Sequence, residues 1–373
     1  MCKYLKYCLV AVVIINLTSC DIGNGSRDEA RELRFTEFPC KYKMDEYQVI
    51  TSIRQLVPWE IFSVDSLFII YEHQGSDHFF HVYNEGFNFI GSFGKKGNGP
   101  GEFTMAEFCG QYYKDDNGNI KLWIHDQNLF KAFKVDLLKA MNAQENDESF
   151  IEETVNLPTE VLTIPEFLEI TEGELYIGRS DMVSYGRYFI FQNDDTPIKW
   201  TETYPNVDEF TVADNLTLAY HSTTRYDAIN KRVVSAMTQL DQIDIFDNEM
   251  NLFKSVVHEN ENPSPNFLSV DHPFNDNNYT YYMDLCLTDQ YIYTSYLNVP
   301  FSVLRKSIKD GPKNIQGFVH VFDLDGIPIA ELQFEHSVSR FAVDQENEFI
   351  YMFNFGNEDM PLLKYKLPIF QNE

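Results

Sequence analysis

The chain has 373 residues, enough for one large domain or two ordinary ones, and at 44% hydrophobic it carries enough apolar residues for a packed core. Lys plus Arg total 29 against 57 Asp plus Glu, a net charge of −28, which excludes the clustered positive surface that a nucleic-acid binder needs. Its 31 Phe and 22 Tyr bias it toward β-structure.

At the N-terminus, Lys3 and Lys6 precede an apolar run, Cys8 to Leu17, broken only by Asn16. That run is far short of the ~20 residues that span a bilayer, so residues 1–19 read as a secretory signal. Leu17-Thr18-Ser19-Cys20 resembles the bacterial lipobox, which makes Cys20 the lipidation site and residues 20–32 an acylated cysteine with a polar tether. Such an anchor makes a membrane the first partner, while the tether's negative charge holds the body off anionic headgroups. Cys2 and Cys8 leave with the signal. Cys40, Cys109 and Cys286 then allow at most one disulfide, so this is no disulfide scaffold.

From residue 33 to 373 one unit recurs: a short β-like run, a polar turn, then a second run of aromatic and branched residues. It appears at 62–71 (FSVDSLFIIY), 112–124, 168–178, 226–236, 285–296 and 341–353. The last apolar residue before each turn is Val64, Tyr113, Ile170, Ile229, Leu287 and Val343, a spacing of 49 to 59 residues. A second hairpin signature follows at 81–93, 243–256 and 319–332. Helical periodicity is weak throughout, and Asp136 to Ala143 is at most a short helix in a connection. Two hairpins per unit, repeated six times, predict an all-β fold: a six-bladed β-propeller of four-stranded antiparallel blades. Seven blades or a pair of β-sandwiches are the lesser readings. The sixth unit offers three strands, so Leu33 to Phe38 or Tyr47 to Ile53 is expected to close the ring.

The glycine-rich stretch 94–103 (GKKGNGPGEF) is the most distinctive segment. A phosphate loop would lie between strand and helix with Ser or Thr after its lysine; here Lys96 follows Lys95, and Pro100-Gly101 breaks any helix start. The glycines instead allow a sharp turn between blades. With the hairpin before it, the stretch resembles the end of an NHL-type blade. More closely, the lipobox, this loop and the six-fold rhythm together resemble the TolB-like six-bladed propeller lipoproteins of Bacteroidota. That resemblance implies a propeller in the cell envelope, on an outer-membrane lipoprotein, and brings no catalytic residues. Asp65-Ser66-Leu67 also resembles a three-residue O-glycosylation signal of such bacteria, with a plain β-turn as the alternative.

No nucleophile elbow, zinc-binding helix motif or C-x-x-C is present, and no motif asks for a cofactor. Asp323 to Gly326 and Asp115 to Gly118 look like fragments of calcium loops but lack the spaced ligands, and read as hairpin turns. Long segments at 204–216, 257–280 and 297–315 join blades, or join the second and third strands of a blade, and so leave on one face, where binding usually sits. Near that face lie Arg54, Lys95, Lys96, Arg225, Arg305, Lys306 and Arg340, which would favour an anionic or sugar-acid ligand. Arg225 and Arg340 sit beside inner strands. Trp59, Trp123 and Trp200 could stack on sugar rings, although blade packing claims most propeller tryptophans. The first expectation is a non-enzymatic envelope lipoprotein binding a protein or glycan partner. The alternatives are a metal-dependent funnel hydrolase or lyase acting on a sugar or lactone, and a structural subunit of an outer-membrane complex.

Overall fold

The computed structural model describes residues 31–370, apart from 54–55, 162, 183–184, 194–195, 202–203, 205–212, 270–274, 311–314, 356 and 358. The signal, Cys20 and nearly all of the tether therefore lie outside the described residues, as does Arg54. Six antiparallel four-stranded meanders are arranged as blades. Blades 1 to 5 run over 60–95, 106–156, 166–200, 222–258 and 279–334, and blade 6 takes three strands from 341–366. Each repeat marker lies at the end of a blade's first strand or in the turn beyond it, as the hairpin pattern predicts. Among the described residues no helix is long and apolar enough to cross a membrane.

Why blades form is visible in what they bury. Each strand alternates its side chains between two faces, and both faces of a blade must find cover. Six apolar clusters supply it, one at each seam between neighbouring blades. Between blades 1 and 2, for example, Phe62, Val64 and Phe80 meet Phe108, Leu122 and Phe133. No blade could bury these faces alone.

Closure uses the N-terminal segment in a way the sequence does not reveal. Strand β3 (Tyr47–Ile50) pairs antiparallel with Leu362–Lys366 and completes blade 6. The other closing candidate, Leu33 to Phe38, does something else. Strand β1 (Glu32–Phe35) adds to blade 4 as a fifth, parallel strand, with Glu32 opposite Ser255. Strand β2 (Cys40–Met44) adds in the same way to blade 5, with Cys40 opposite Ala330. One segment thus straps three successive blades and covers two edges that would otherwise show unpaired backbone groups. Cys40, Cys109 and Cys286 are all free thiols, and none is bridged.

Under that strap, at the seam of blades 4 and 5, lies a histidine pair. His320 is fully buried, stacked on Tyr296 at 3.9 Å and tilted against Phe38 at 4.4 Å. Neither ring nitrogen has a hydrogen bond, and Nε2 stands 3.6 Å from Glu331, too far for one. Burial pushes its pKa below the ordinary 6.5, with Glu331 opposing only in part. His258, stacked on Phe35 at 4.7 Å, loses to desolvation too, but its bond to Asp241 at 3.2 Å raises it overall. The signs are opposite. His320 stabilises the fold above pH 6.5 and loses that contribution as pH falls, because the unfolded chain takes the proton first; the His258 pair is intact below 6.5 and fades as pH rises. Replacing His320 with Phe is therefore expected to flatten the loss of stability between about pH 7 and 5, as read by urea unfolding at both values. An unchanged acid slope would assign it to other groups.

One segment read as irregular is partly helical: after the short helices α1 (Leu137–Asn142) and α2 (Leu216–Ala219), Phe301–Asp310 forms α3, between the second and third strands of blade 5. Its signal was Phe301, Leu304 and Ile308 at helical spacing just after Pro300. The short helix expected near 136–143 is present as Leu137–Asn142, with the Asp136 carboxylate accepting the Lys139 N–H as N-cap.

Candidate functional site

Meander topology gives a propeller two unlike faces. The connections between blades and those between second and third strands leave on one, here the connection face. The tight turns within each hairpin leave on the other, the turn face. The first strands line the channel between them.

Each first strand, or the residue just before it, supplies a charged residue to a ring around the channel: Glu60, Glu107, Glu166, Arg225, Asp284 and Arg340, in blades 1 to 6. Glu60, Arg225, Asp284 and Arg340 lie within electrostatic reach of one another. Arg340 donates through Nη1 to the carbonyls of Met283 and Ser339, and its Nε is 3.5 Å from Glu60. Arg225 donates through Nη1 to the Thr224 carbonyl at 3.0 Å, while its Nη2 is 3.6 Å from Asp284. Burial pushes the carboxyls of Glu60 and Asp284 above their usual range, against the pull of the two arginines. His221, exposed near Arg179 and Glu166, has its pKa lowered from the ordinary 6.5 by the crowding around it and then by the Arg179 charge.

Two of these carboxylates staple blade to blade. Asp284 accepts the N–H groups of Leu285 at 2.9 Å and, across the seam, of Phe341 at 3.0 Å. Glu166 accepts the Thr224 N–H at 2.9 Å and Arg179 Nε at 3.0 Å. Within blade 2, Asp126 accepts the N–H groups of Thr104 and Met105 at the entry to that blade's first strand. Part of the chain's acidity is thus structural, since a carboxylate can bind several backbone donors at once. Among the described residues, no three His, Cys, Asp or Glu side chains are grouped as metal ligands would be.

Among the described residues, the structure brings together two of the basic residues expected to converge. Arg225 and Arg340 meet in the channel around Asp284. Lys95 stands on the outer strand of blade 1, paired with Glu102 at 2.7 Å and Glu145 at 3.7 Å. Lys96 is committed to the carbonyls of His73 and Ser76, both at 3.0 Å, and lies over the Phe79 ring. Arg305 is exposed on α3 and pairs with Asp276 at 2.7 Å. Each of these three meets a local partner outside the first strands, so in place of the expected cationic funnel the first strands present a mixed ring of four acids and two arginines. Missed by the sequence reading were Glu60, Glu107, Glu166, Asp284, Arg179 and His221. The repeat itself held the signal, since each unit carries a charge three to six residues before its turn marker.

The glycine-rich stretch folds on itself rather than around a ligand. The Glu102 carboxylate accepts the Gly99 N–H at 2.8 Å and binds Lys95, filling the place an anion would take. Gly101 has φ +72° and its α-carbon passes so near the Asp147 carbonyl that a Cβ would lie 2.4 Å from it. Asp65-Ser66 is a two-residue hairpin turn, with Asp65 at φ 55° and bound to Lys114 at 2.6 Å. Asp115 and Asp323 likewise cap their own turns, accepting N–H groups two and four residues on.

A family model described as TolB-like 6-blade propeller-like matches residues 42–346. In structure the chain is similar to a member of the DUF4221 family from Bacteroides vulgatus, with a TM-score of 0.60 and 12% identity, covering 88% of this chain and 98% of that one. It is also similar to a protein from Bacteroides fragilis provisionally named as exported, with a TM-score of 0.50 and 13% identity, covering 87% of this chain and 98% of that one. At such identities the likeness is one of fold. No curated protein matches the sequence.

Proposed function

The chain belongs to the TolB-like six-blade propeller family, and from that premise we propose that it is an envelope lipoprotein, anchored through Cys20, that captures a protein partner on its connection face. The observation that carries the partner site is a set of exposed apolar side chains on that face that includes a tryptophan and a tyrosine. Trp59, 58% exposed, and Val57 lie on the connection into blade 1; Tyr185, 81% exposed, and Met182 lie between the second and third strands of blade 3. Leu268, on the connection into blade 5, and Val303, on α3, are exposed on the same face. Trp and Tyr on a rigid rim are the side chains that dominate protein interfaces, and the aliphatic neighbours suit a protein better than a glycan. Export is supported by the signal, the lipobox and the B. fragilis fold relative named as exported.

The test is crosslinking in the intact envelope followed by binding measurements on the captured partner. Trp59→Ala with Tyr185→Ala is expected to weaken binding by at least about thirtyfold, the size of a hot-spot loss of ~2 kcal/mol. Both side chains are exposed, so stability should stay within about 0.5 kcal/mol. Unchanged capture by the double variant would refute the partner site. Capture abolished by removing glycans but not by protease would replace the protein with a glycan. Cys20→Ser is expected to release the chain from the membrane fraction, and a chain that stays bound would refute the anchor.

A further inference from the structure

At the other mouth, on the turn face, the channel holds a cavity of about 330 Å³. Its walls come from the first strands of blades 1, 2, 4, 5 and 6, with Phe62, Phe341 and Leu285 among the apolar residues and Arg225 and Asp284 as the deep charged pair. This volume lies at the small end of ligand sites.

The backbone is bent to make it. Strand pairing in blade 2 is interrupted between Phe108 and Tyr112, and in blade 5 between Thr280 and Asp284, irregularities of the kind that re-aim side chains. In the blade 2 bulge Gly110 has φ +77°, and a Cβ there would stand 3.3 Å from Phe62 and 3.6 Å from Arg225 Nε. The bulge is pinned to blade 3 by the Gln111 side chain, which donates to the Glu169 carbonyl at 2.6 Å and accepts its N–H at 2.9 Å.

The pair it frames is underused. Arg225 carries five N–H donors; among the described residues it makes one hydrogen bond, to Thr224, and lies over the Phe62 ring at 5.5 Å. Asp284 is 3.6 Å from it, beyond hydrogen-bond reach, and each Asp284 oxygen accepts one backbone N–H and keeps room for another donor. A simple anion would satisfy Arg225 but meet Asp284, Glu60 and a strongly acidic chain. A simple cation would satisfy Asp284 but meet Arg225. A molecule with both charges a few ångströms apart answers both.

We propose that this cavity binds a small zwitterion, an α-amino acid with an apolar side chain, its carboxylate on Arg225, its ammonium on Asp284 and its side chain against Phe62 and Phe341. The site lies at the opposite mouth from the proposed partner face, so either can fail alone.

Calorimetric titration of the purified full chain with L-phenylalanine, L-leucine, phenylacetate and phenethylamine tests it. At least one amino acid should bind once per chain, and phenylacetate and phenethylamine at least about tenfold more weakly than phenylalanine if that is the binder. Arg225→Gln should cost the amino acid about tenfold or more, while phenethylamine, relieved of the Arg225 charge beside Asp284, should bind no more weakly than to the unaltered chain. Ala228→Trp, at the exposed rim of the cavity, should block entry of all probes without touching the charged pair. Absence of saturable amino-acid binding up to about 10 mM, equal binding of phenylalanine and its single-charge analogues, or full binding by Arg225→Gln would overturn the proposal. Should Arg225→Gln fail to fold, Arg225→Lys, which keeps the charge without the fork, should still weaken the amino acid, and the analogue comparison in the unaltered chain decides independently.

Discussion

Arg187→Met is expected to lower unfolding stability by about 3–5 kcal/mol, because it removes one partner of a buried ion pair and strands the other. Arg187 precedes the third strand of blade 3, and Asp244 lies on the third strand of blade 4; both are almost fully buried. The guanidinium binds Asp244 through Nη1 and Ser235 Oγ through Nη2 at 2.6 Å, and it lies over the rings of Tyr188 and Phe246, both at 5.4 Å. The second Asp244 oxygen takes Ser255 Oγ at 2.6 Å and Gln242 Nε2 at 2.7 Å. In Arg187→Met the apolar stem is replaced well, so packing changes little, and the cost comes from an Asp244 charge left without a cation. The diagnostic control is Arg187→Met with Asp244→Leu, which should recover most of the loss, since an apolar pair avoids the desolvation of both ions. Equilibrium urea unfolding reads both. A single-variant loss below about 1 kcal/mol would mean the pair behaves as a solvated one.

Much of this architecture was legible because propeller blades are local objects. Each hairpin joins neighbours in sequence, so alternation and turn residues near Val64 or Ile170 report it directly. The strap was not legible, because β1 pairs with residues more than 200 positions away and β2 with residues almost 300 away. A four-residue β-like stretch such as Glu32–Phe35 carries no mark of the edge it will cover. Loop lengths identified which connections share a face, since that follows from strand alternation alone.

The charged site was half legible for a different reason. A basic residue in an acidic chain looks scarce and therefore free, but freedom depends on the nearest carboxylate in space. Lys95 finds Glu102 seven residues on, within its own loop, and Arg305 finds Asp276 across a connection. Arg225, on a first strand, and Arg340, just before one, differ because they stand in the channel 3.6 Å and 3.5 Å from Asp284 and Glu60, and among the described residues neither arginine hydrogen-bonds its acid. The repeat register marks those positions; charge sign alone does not.

Trp123→Ala should cost about 3–5 kcal/mol, and comparison with Trp123→Phe will show why. Trp123, on the second strand of blade 2, is 2% exposed and packs on Phe167 at 5.3 Å and Tyr176 at 5.8 Å, both from blade 3. Its indole N–H donates to Glu169 Oε2 at 2.8 Å. That carboxylate is buried, with Gly173 N at 2.8 Å and Lys134 Nζ at 3.8 Å on its other oxygen. Phenylalanine keeps most of the apolar contact and removes only the donor, so its cost should be about 1.5–3 kcal/mol, the worth of a hydrogen bond to a charged group. Alanine loses the seam packing as well. Equal losses in the two variants would place the whole effect on the Glu169 bond, and a silent Trp123→Phe would place it on packing. A tryptophan that locks blade 2 to blade 3 in this way is committed to the fold, whereas Trp59, exposed on the connection face, has no such seam to fill. The same residue type therefore separates scaffold from surface, and only its neighbours in space say which it serves.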